Sequence, residues 1–180
     1  SRSQIAVRLW TWDPAEAIDP AFFRRRVQAA LGLRQALGLW PARPGPTGAD
    51  AFRLVNAESD FLPGCVADVY GPCLVVQLST LGAERRKPEL VDALDEAVRP
   101  GAIYERSDAE PRAKEGLAAV SGLLRGALPE GPLTIREHGL QFEVDPRRGQ
   151  KTGFYCDQRL NRAQVARLAA NRPEPQLEAL

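Results

Sequence analysis

Ile5, Val7 and Leu9 alternate with polar residues while Trp10 and Trp12 fall on the opposite face, and this period of two predicts a strand within Ser3–Trp12. The period then changes. Asp19 followed by Pro20 is a helix start, and Phe23, Val27, Ala30, Leu31 and Leu37 share one side of a helix that runs to Leu37 and is ended by Gly38. Arg24, Arg25 and Arg26 sit in its first half, against the helix dipole, and read as solubilising charge or as contacts for an anion. Residues 41–50, with three prolines and two glycines, sustain neither a helix nor a ladder and predict an exposed connector.

Short apolar runs follow. Phe52–Asn56, Cys65–Tyr70 and Cys73–Ser79 predict three strands of an antiparallel meander, turned at Ser59–Gly64 and at Gly71-Pro72. Residues 86–98 predict a helix and Ala102–Arg106 a strand, with Ser107-Asp108 capping a short charged segment that ends near Gly116. Thr134–Asp145 is two alternating runs joined at His138-Gly139, the pattern of a β-hairpin, so the lone histidine is a turn residue rather than a general base. The fold class this predicts is α+β: an antiparallel meander with packed helices, then a C-terminal hairpin and a helix. The segment from the helix at Pro20 to the helix after the meander carries enough periodic apolar residues for its own core, whereas the first strand and the hairpin read as edge elements with low amide protection.

Candidate chemistry concentrates in Gly149–Arg162. Two glycines four apart allow the backbone positive φ and close approach to a ligand, Lys151 and Thr152 supply a cation and a hydroxyl, and Phe154 and Tyr155 supply aromatic faces. Asp157 is placed to cap a helix through Leu160, Ala163, Val165, Leu168 and Ala169, whose first turn holds Gln158 and Arg159 and so favours an anionic group. A solvated loop leading into an ordinary capped helix satisfies the same spacing. Glu58, Asp60 and Asp68 raise a paired-carboxylate site, but turn aspartates bond their own backbone. No Ser/His/Asp or Cys/His pair, P-loop or G-x-G-x-x-G is present.

Composition narrows the class. In 180 residues, 44% apolar and 26% charged content is that of a folded globular protein. A net charge of +1 conceals an uneven distribution: residues 131–172 hold eight basic and four acidic side chains, so that segment is +4 and the remainder −3. A polyanionic partner suits the basic stretch, with Arg147, Arg148 and Arg162 as the candidate contacts. Cys65, Cys73 and Cys156 lack a C-x-x-C pair, which argues against a zinc site or a disulfide framework. Neither a membrane span nor a secretory signal is present, which makes the cytoplasm the expected location. The absence of methionine, and a start inside a strand pattern, suggest an excerpt of a longer protein.

Ser3-Gln4-Ile5, Phe52-Arg53-Leu54-Val55, Glu58–Gly64, Tyr104–Asp108, Lys114-Glu115-Gly116 and, most specifically, Gly149–Arg159 resemble the bacterial S-adenosylmethionine-dependent methyltransferases that modify carbon 5 of a cytosine in large-subunit ribosomal RNA. The resemblance implies that residues 1–13 are the last strand of a PUA-like RNA-binding domain, 14–130 a central α+β domain, and 131–180 the lead-in to a Rossmann-like methyltransferase domain. It also implies that Lys151, Thr152, Gly153, Phe154, Tyr155, Asp157, Gln158 and Arg159 line the pocket for S-adenosylmethionine. Cys156 stands where that family usually has an aliphatic residue, and so reads as a small apolar replacement rather than as the nucleophile. The family's glycine-rich turn and nucleophilic cysteine would follow Leu180, so no catalytic residue is expected within these 180, and the chain alone is expected not to methylate. Ribosomal RNA is the implied partner and a homodimer the implied assembly. A non-catalytic RNA-binding or dimerisation module is the alternative.

Overall fold

The computed structural model describes residues 5, 7–40, 49–108 and 110–170. Most of the predicted connector, and the residues after Ala170, lie outside the described residues. Helix α1, Pro20–Ala36, begins as its sequence dictates: the Asp19 carboxylate accepts the Phe22 N–H at 2.8 Å, with proline in the first turn. Its inward face is Phe22, Phe23, Val27, Ala30 and Leu31. Leu37, expected on that face, is exposed, because the helix has ended at Ala36 and Gly38 turns the chain away at a φ of 70°.

Strands β1 (Ala51–Asn56), β2 (Cys65–Tyr70) and β3 (Cys73–Leu78) form the expected meander. Helices α2 (Leu81–Arg85) and α3 (Lys87–Val98) then carry the chain back, so that β4 (Ala102–Ser107) joins β3 in parallel. After α4 (Glu110–Lys114), β5 (Val120–Gly126) completes the five-stranded sheet in the order β1-β2-β3-β4-β5. The parallel pair follows from length, since a crossover with a helix can return the chain in the same direction whereas a tight turn cannot. No alternation marked β5, whose residues are largely exposed.

Alternation within the strands sorts the sheet into two faces. Leu54, Ala67, Val69, Leu74, Val76 and Ile103 pack beneath α1 and α3 in the larger core. On the other face Ala51, Tyr70, Cys73, Val75 and Ala102 meet Leu133, Ile135 and Val144 of a hairpin, β6 (Leu133–Glu137) with β7 (Leu140–Val144). His138 and Gly139 make its turn, at φ of 51° and 79°. The hairpin is therefore not a loose edge: its inward side chains are buried, and its backbone joins the sheet through the Ala49–Glu137 bridge and the Arg136 N–H to Asp50.

The strand predicted within Ser3–Trp12 does not form over its described part, residues 5 and 7–12. Trp10 instead packs edge-on against Phe22 and Phe23, with ring centroids 6.3 and 5.2 Å away, and Arg8 pairs with Glu58 at 3.0 Å. An alternating segment becomes a strand only where a sheet edge receives its backbone, and here the aromatic contact with α1 decides its path. Arg24, Arg25 and Arg26 of α1 are likewise occupied. Arg24 pairs with Glu96, and Arg25 and Arg26 with Glu16.

Candidate functional site

The Gly149–Arg159 stretch lies across the hairpin face of the sheet. Ahead of it, Asp145 turns the chain by accepting the N–H groups of Arg147 and Arg148 on its side chain and that of Gly149 on its carbonyl. From β4, Arg106 donates to the carbonyls of Pro146 and Gly149 at 3.3 and 3.1 Å. The loop then closes on itself, with the Gly153 N–H donating to the Gln150 carbonyl at 2.9 Å. Both glycines are required by this closure itself. A Cβ on Gly149 would lie 2.6 Å from the Asp145 oxygen and 2.7 Å from that of Gly153, while Gly153 has a φ of 139°.

The loop has an inner and an outer side. Thr152 is buried, and its hydroxyl meets the Asp68 carboxylate and, at 2.7 Å, the Tyr70 hydroxyl. Phe154 packs on Phe142 at 5.3 Å between centroids, and its N–H reaches the Tyr70 oxygen at 3.2 Å. Lys151, Tyr155, Asp157 and Gln158 lie on the exposed side and Arg159 is half-buried. There the Lys151 ammonium stands 4.4 Å over the Tyr155 ring and 3.1 Å from the Asp157 carboxylate, which it holds below the usual carboxylate range. Asp157 is not the helix cap that its spacing suggested. It belongs to a 3-10 turn, Cys156–Gln158, and the helix α5 follows at Arg159–Ala170, with the carboxylate spent on Lys151.

The three arginines expected at RNA are differently placed. Arg162 makes a bidentate pair with buried Glu137, at 2.7 and 2.8 Å, and lies 4.4 Å over the Phe154 ring, so it clamps α5 to the hairpin. Arg147 donates to the carbonyls of Leu128 and Pro129. Arg148 alone of the three has no side-chain partner among the described residues. Arg159 also makes no hydrogen bond or ion pair with a described residue. It lines a groove of 560 Å³ between α1, β1 and α5, with Leu33, Phe52, Arg53, Cys156 and Leu160.

Burial pushes the thiols of Cys65 and Cys156 up to about 12 and that of Cys73 up to about 11, from an ordinary value of 9.0. Each is thereby held in its protonated form at neutral pH, which disfavours Cys156 as a thiolate nucleophile. The sign follows directly. Between about pH 9 and 12 the unfolded chain releases these protons before the folded one does, so stability falls as pH rises through that window. Iodoacetamide at pH 8 is expected to label none of the three in the native chain and all three in urea; rapid native labelling of Cys156 would show the thiol to be exposed and activated.

Asp68 enters the sequence reading only as part of a paired-carboxylate site discounted as turn aspartates, but it lies in β2 and pairs with Arg53; Tyr70 and Arg53 are not singled out as site residues from the sequence. The available signal was an aspartate inside the apolar run Val66-Ala67-Asp68-Val69-Tyr70, where a carboxylate has no reason to be unless partners await it. Among the described residues there is no group of three or more His, Cys, Asp or Glu that could hold a metal, and no helix long and apolar enough to cross a membrane.

No family profile matches the chain. It is 51% identical over 165 residues to ribosomal RNA large subunit methyltransferase I of Shewanella amazonensis, covering 92% of this chain and 40% of that protein. With the protein of the same name from Escherichia coli O139:H28 it shares 45% identity over 170 residues, 94% of this chain and 41% of that one. The chain therefore spans about two fifths of the length of these relatives. Among solved structures, one from Streptococcus mutans, assigned as a SAM-dependent methyltransferase, superposes with a TM-score of 0.67 at 22% identity, over 83% of this chain and 36% of that one. A second, SMU.776, assigned as a methyltransferase and complexed with SAH, gives the same TM-score at 21% identity and the same coverage. These two bear on the fold alone, and they match the α+β arrangement found here.

Proposed function

We propose that this chain is the central and lead-in portion of an enzyme that transfers a methyl group from S-adenosylmethionine to carbon 5 of a cytosine in large-subunit ribosomal RNA. The observation that carries the reading is the 51% identity over 165 residues, 92% of the chain. On this reading residues 14–130 are a central α+β domain and residues from 131 onward lead into the methyltransferase domain. The apolar residues Leu160, Val165 and Leu168 of α5, 74, 65 and 58% exposed, suit a helix that packs within such a domain.

The outer side of the loop fits the cofactor chemically. S-adenosylmethionine is a zwitterion with a sulfonium, and Lys151, Asp157, Arg159 and the Tyr155 face offer cations, an anion and a π-surface for it. When bound, the cofactor supplies an electrophilic methyl group. The residues of this chain bind and orient it. On this reading the chain alone is expected to transfer no methyl group. Arg148, exposed and without a side-chain partner among the described residues, is free to meet RNA phosphate, through contacts that weaken with salt.

The test uses the polypeptide at its natural length. Lys151→Ala and Arg159→Ala should each weaken S-adenosylhomocysteine binding by about tenfold, the scale of a hydrogen bond to a charged group. Unchanged affinity in both variants, read by calorimetric titration, would sink the pocket assignment. Mass spectrometry of ribosomal RNA incubated with labelled S-adenosylmethionine reads the position: label anywhere but cytosine carbon 5 refutes the stated reaction.

A further inference from the structure

We infer that Asp68, held by Arg53 and acting with Tyr70, is the positioning group for the cofactor loop, so that the meander sets the geometry of a pocket whose other residues lie some eighty positions away in sequence. The inference rests on the cofactor reading above.

Asp68 is fully buried in β2, and such a carboxylate is costly unless it is paired and hydrogen-bonded. Arg53, its cross-strand neighbour in β1, donates from Nε and NH2 at 2.8 and 2.9 Å to the two oxygens, and this contact holds the guanidinium well above its ordinary value. For the stability of β1 against β2 alone, a pair of apolar side chains would serve as well as this ion pair. An apolar pair could not receive a third group. Asp68 does receive one, the Thr152 hydroxyl from the loop, 84 positions away.

The Asp68 carboxylate accepts the Thr152 proton, and the Tyr70 hydroxyl has two acceptors within reach, Thr152 Oγ1 at 2.7 Å and the Phe154 carbonyl at 3.3 Å. The Tyr70 oxygen in turn accepts the Phe154 N–H. Burial raises the Tyr70 hydroxyl well above its ordinary value, so it stays a donor at any working pH. Guanidinium, carboxylate, threonine, tyrosine and loop backbone thus form one connected hydrogen-bond network from β1 to Phe154.

The flanking residues show what this accomplishes. Lys151 is held at a φ of 55°, left-handed for a residue with a side chain, and such a conformation persists only where its surroundings over-determine it. Thr152, next in the chain, is fixed from inside by Asp68 and Tyr70. Phe154 is fixed by its N–H. Lys151 and Tyr155, immediately outside these two anchors, therefore present their charge and ring on the exposed side in one arrangement before any ligand arrives, which lowers the ordering cost of binding.

The experiment compares Thr152→Val, Thr152→Ser, Asp68→Asn and the double variant Asp68→Asn/Thr152→Val in the natural-length polypeptide, titrated with S-adenosylhomocysteine. Thr152→Val is expected to weaken binding by about tenfold, Thr152→Ser to stay within about twofold of the parent, and the double variant to be no weaker than the poorer single one, as coupled residues require. In turnover the KM for S-adenosylmethionine should rise while that for ribosomal RNA does not. Thr152 lies outside the sheet, so its two variants decide the matter even if Asp68→Asn does not fold. Affinity of Thr152→Val within twofold of the parent overturns the inference. If Lys151→Ala and Arg159→Ala still weaken binding in that case, only the positioning role falls; if they too are without effect, the cofactor reading falls with it.

Discussion

Asp60→Ala is expected to destabilise the folded chain by about 3 kcal/mol, the scale at which one member of a buried ion pair is lost while the other stays behind. Asp60 ends the 3-10 turn Ala57–Asp60 after β1 and pairs with Arg34 of α1 through both oxygens, at 2.5 and 2.8 Å. It also accepts the Asn56 N–H at 2.6 Å, and Arg34 reaches the Arg53 carbonyl at 2.9 Å. Removing the carboxylate strands a guanidinium and a backbone N–H in a site where both residues are only 8% exposed. The Arg24 pair with Glu96 provides the contrast. Both of its side chains are half exposed or more, and Arg24→Ala is expected to cost under about 1 kcal/mol. Urea unfolding at constant m-value measures both. Equal, small losses would mean that the Arg34 pair is solvated in the native ensemble.

Gly149→Ala should be the most damaging single methyl group in the loop. Backbone oxygens on two sides, from Asp145 and Gly153, stand closer to the new Cβ than real contacts allow, so one strand of the loop must move. The strain is on the order of 1–3 kcal/mol, and it falls on a local closure that can open without unfolding the sheet. Amide exchange is therefore expected to show Gly153 and Phe154 losing protection while β2 and β3 keep theirs. Gly32→Ala is the control of opposite sign. It lies in α1 with nothing within 4 Å of the added carbon and should stabilise by about 0.5–1 kcal/mol through helix propensity. Retained protection across the loop in Gly149→Ala would show the closure to be looser than its hydrogen bonds indicate.

Local order along this chain was legible wherever the physical cause is local. Asp19-Pro20 starts α1 because a carboxylate and a ring act within one turn. His138-Gly139 turns the hairpin because two adjacent residues must take positive φ. Strands β2 and β3 are written as short apolar runs bounded by turn residues. The meander, α3 and the hairpin, and with them the α+β class, follow from such signals. The segment before α1 failed the same test. Its alternation is real, but a strand needs a neighbour's backbone, and Trp10 found the rings of Phe22 and Phe23 instead.

The candidate site divides in the same way. Its loop was visible as glycines, a cation, a hydroxyl and aromatics in one stretch, and its roles were drawn from resemblance. Which side of the loop each residue faces was not visible, because that depends on residues of β1 and β2 that lie more than eighty positions earlier. Only the tertiary structure turns Thr152 and Phe154 inward to Asp68 and Tyr70, leaves Lys151 and Tyr155 outside, spends Asp157 on Lys151 rather than on a helix cap, and ties Arg162 to Glu137 instead of leaving it to a polyanion. The sequence alone determined where chemistry is concentrated, since residue types and short spacings carry that information. Partnership between charged and polar groups was decided by packing, because a hydrogen bond or an ion pair depends on distance through space and on the exclusion of water, neither of which is a property of neighbours in the chain.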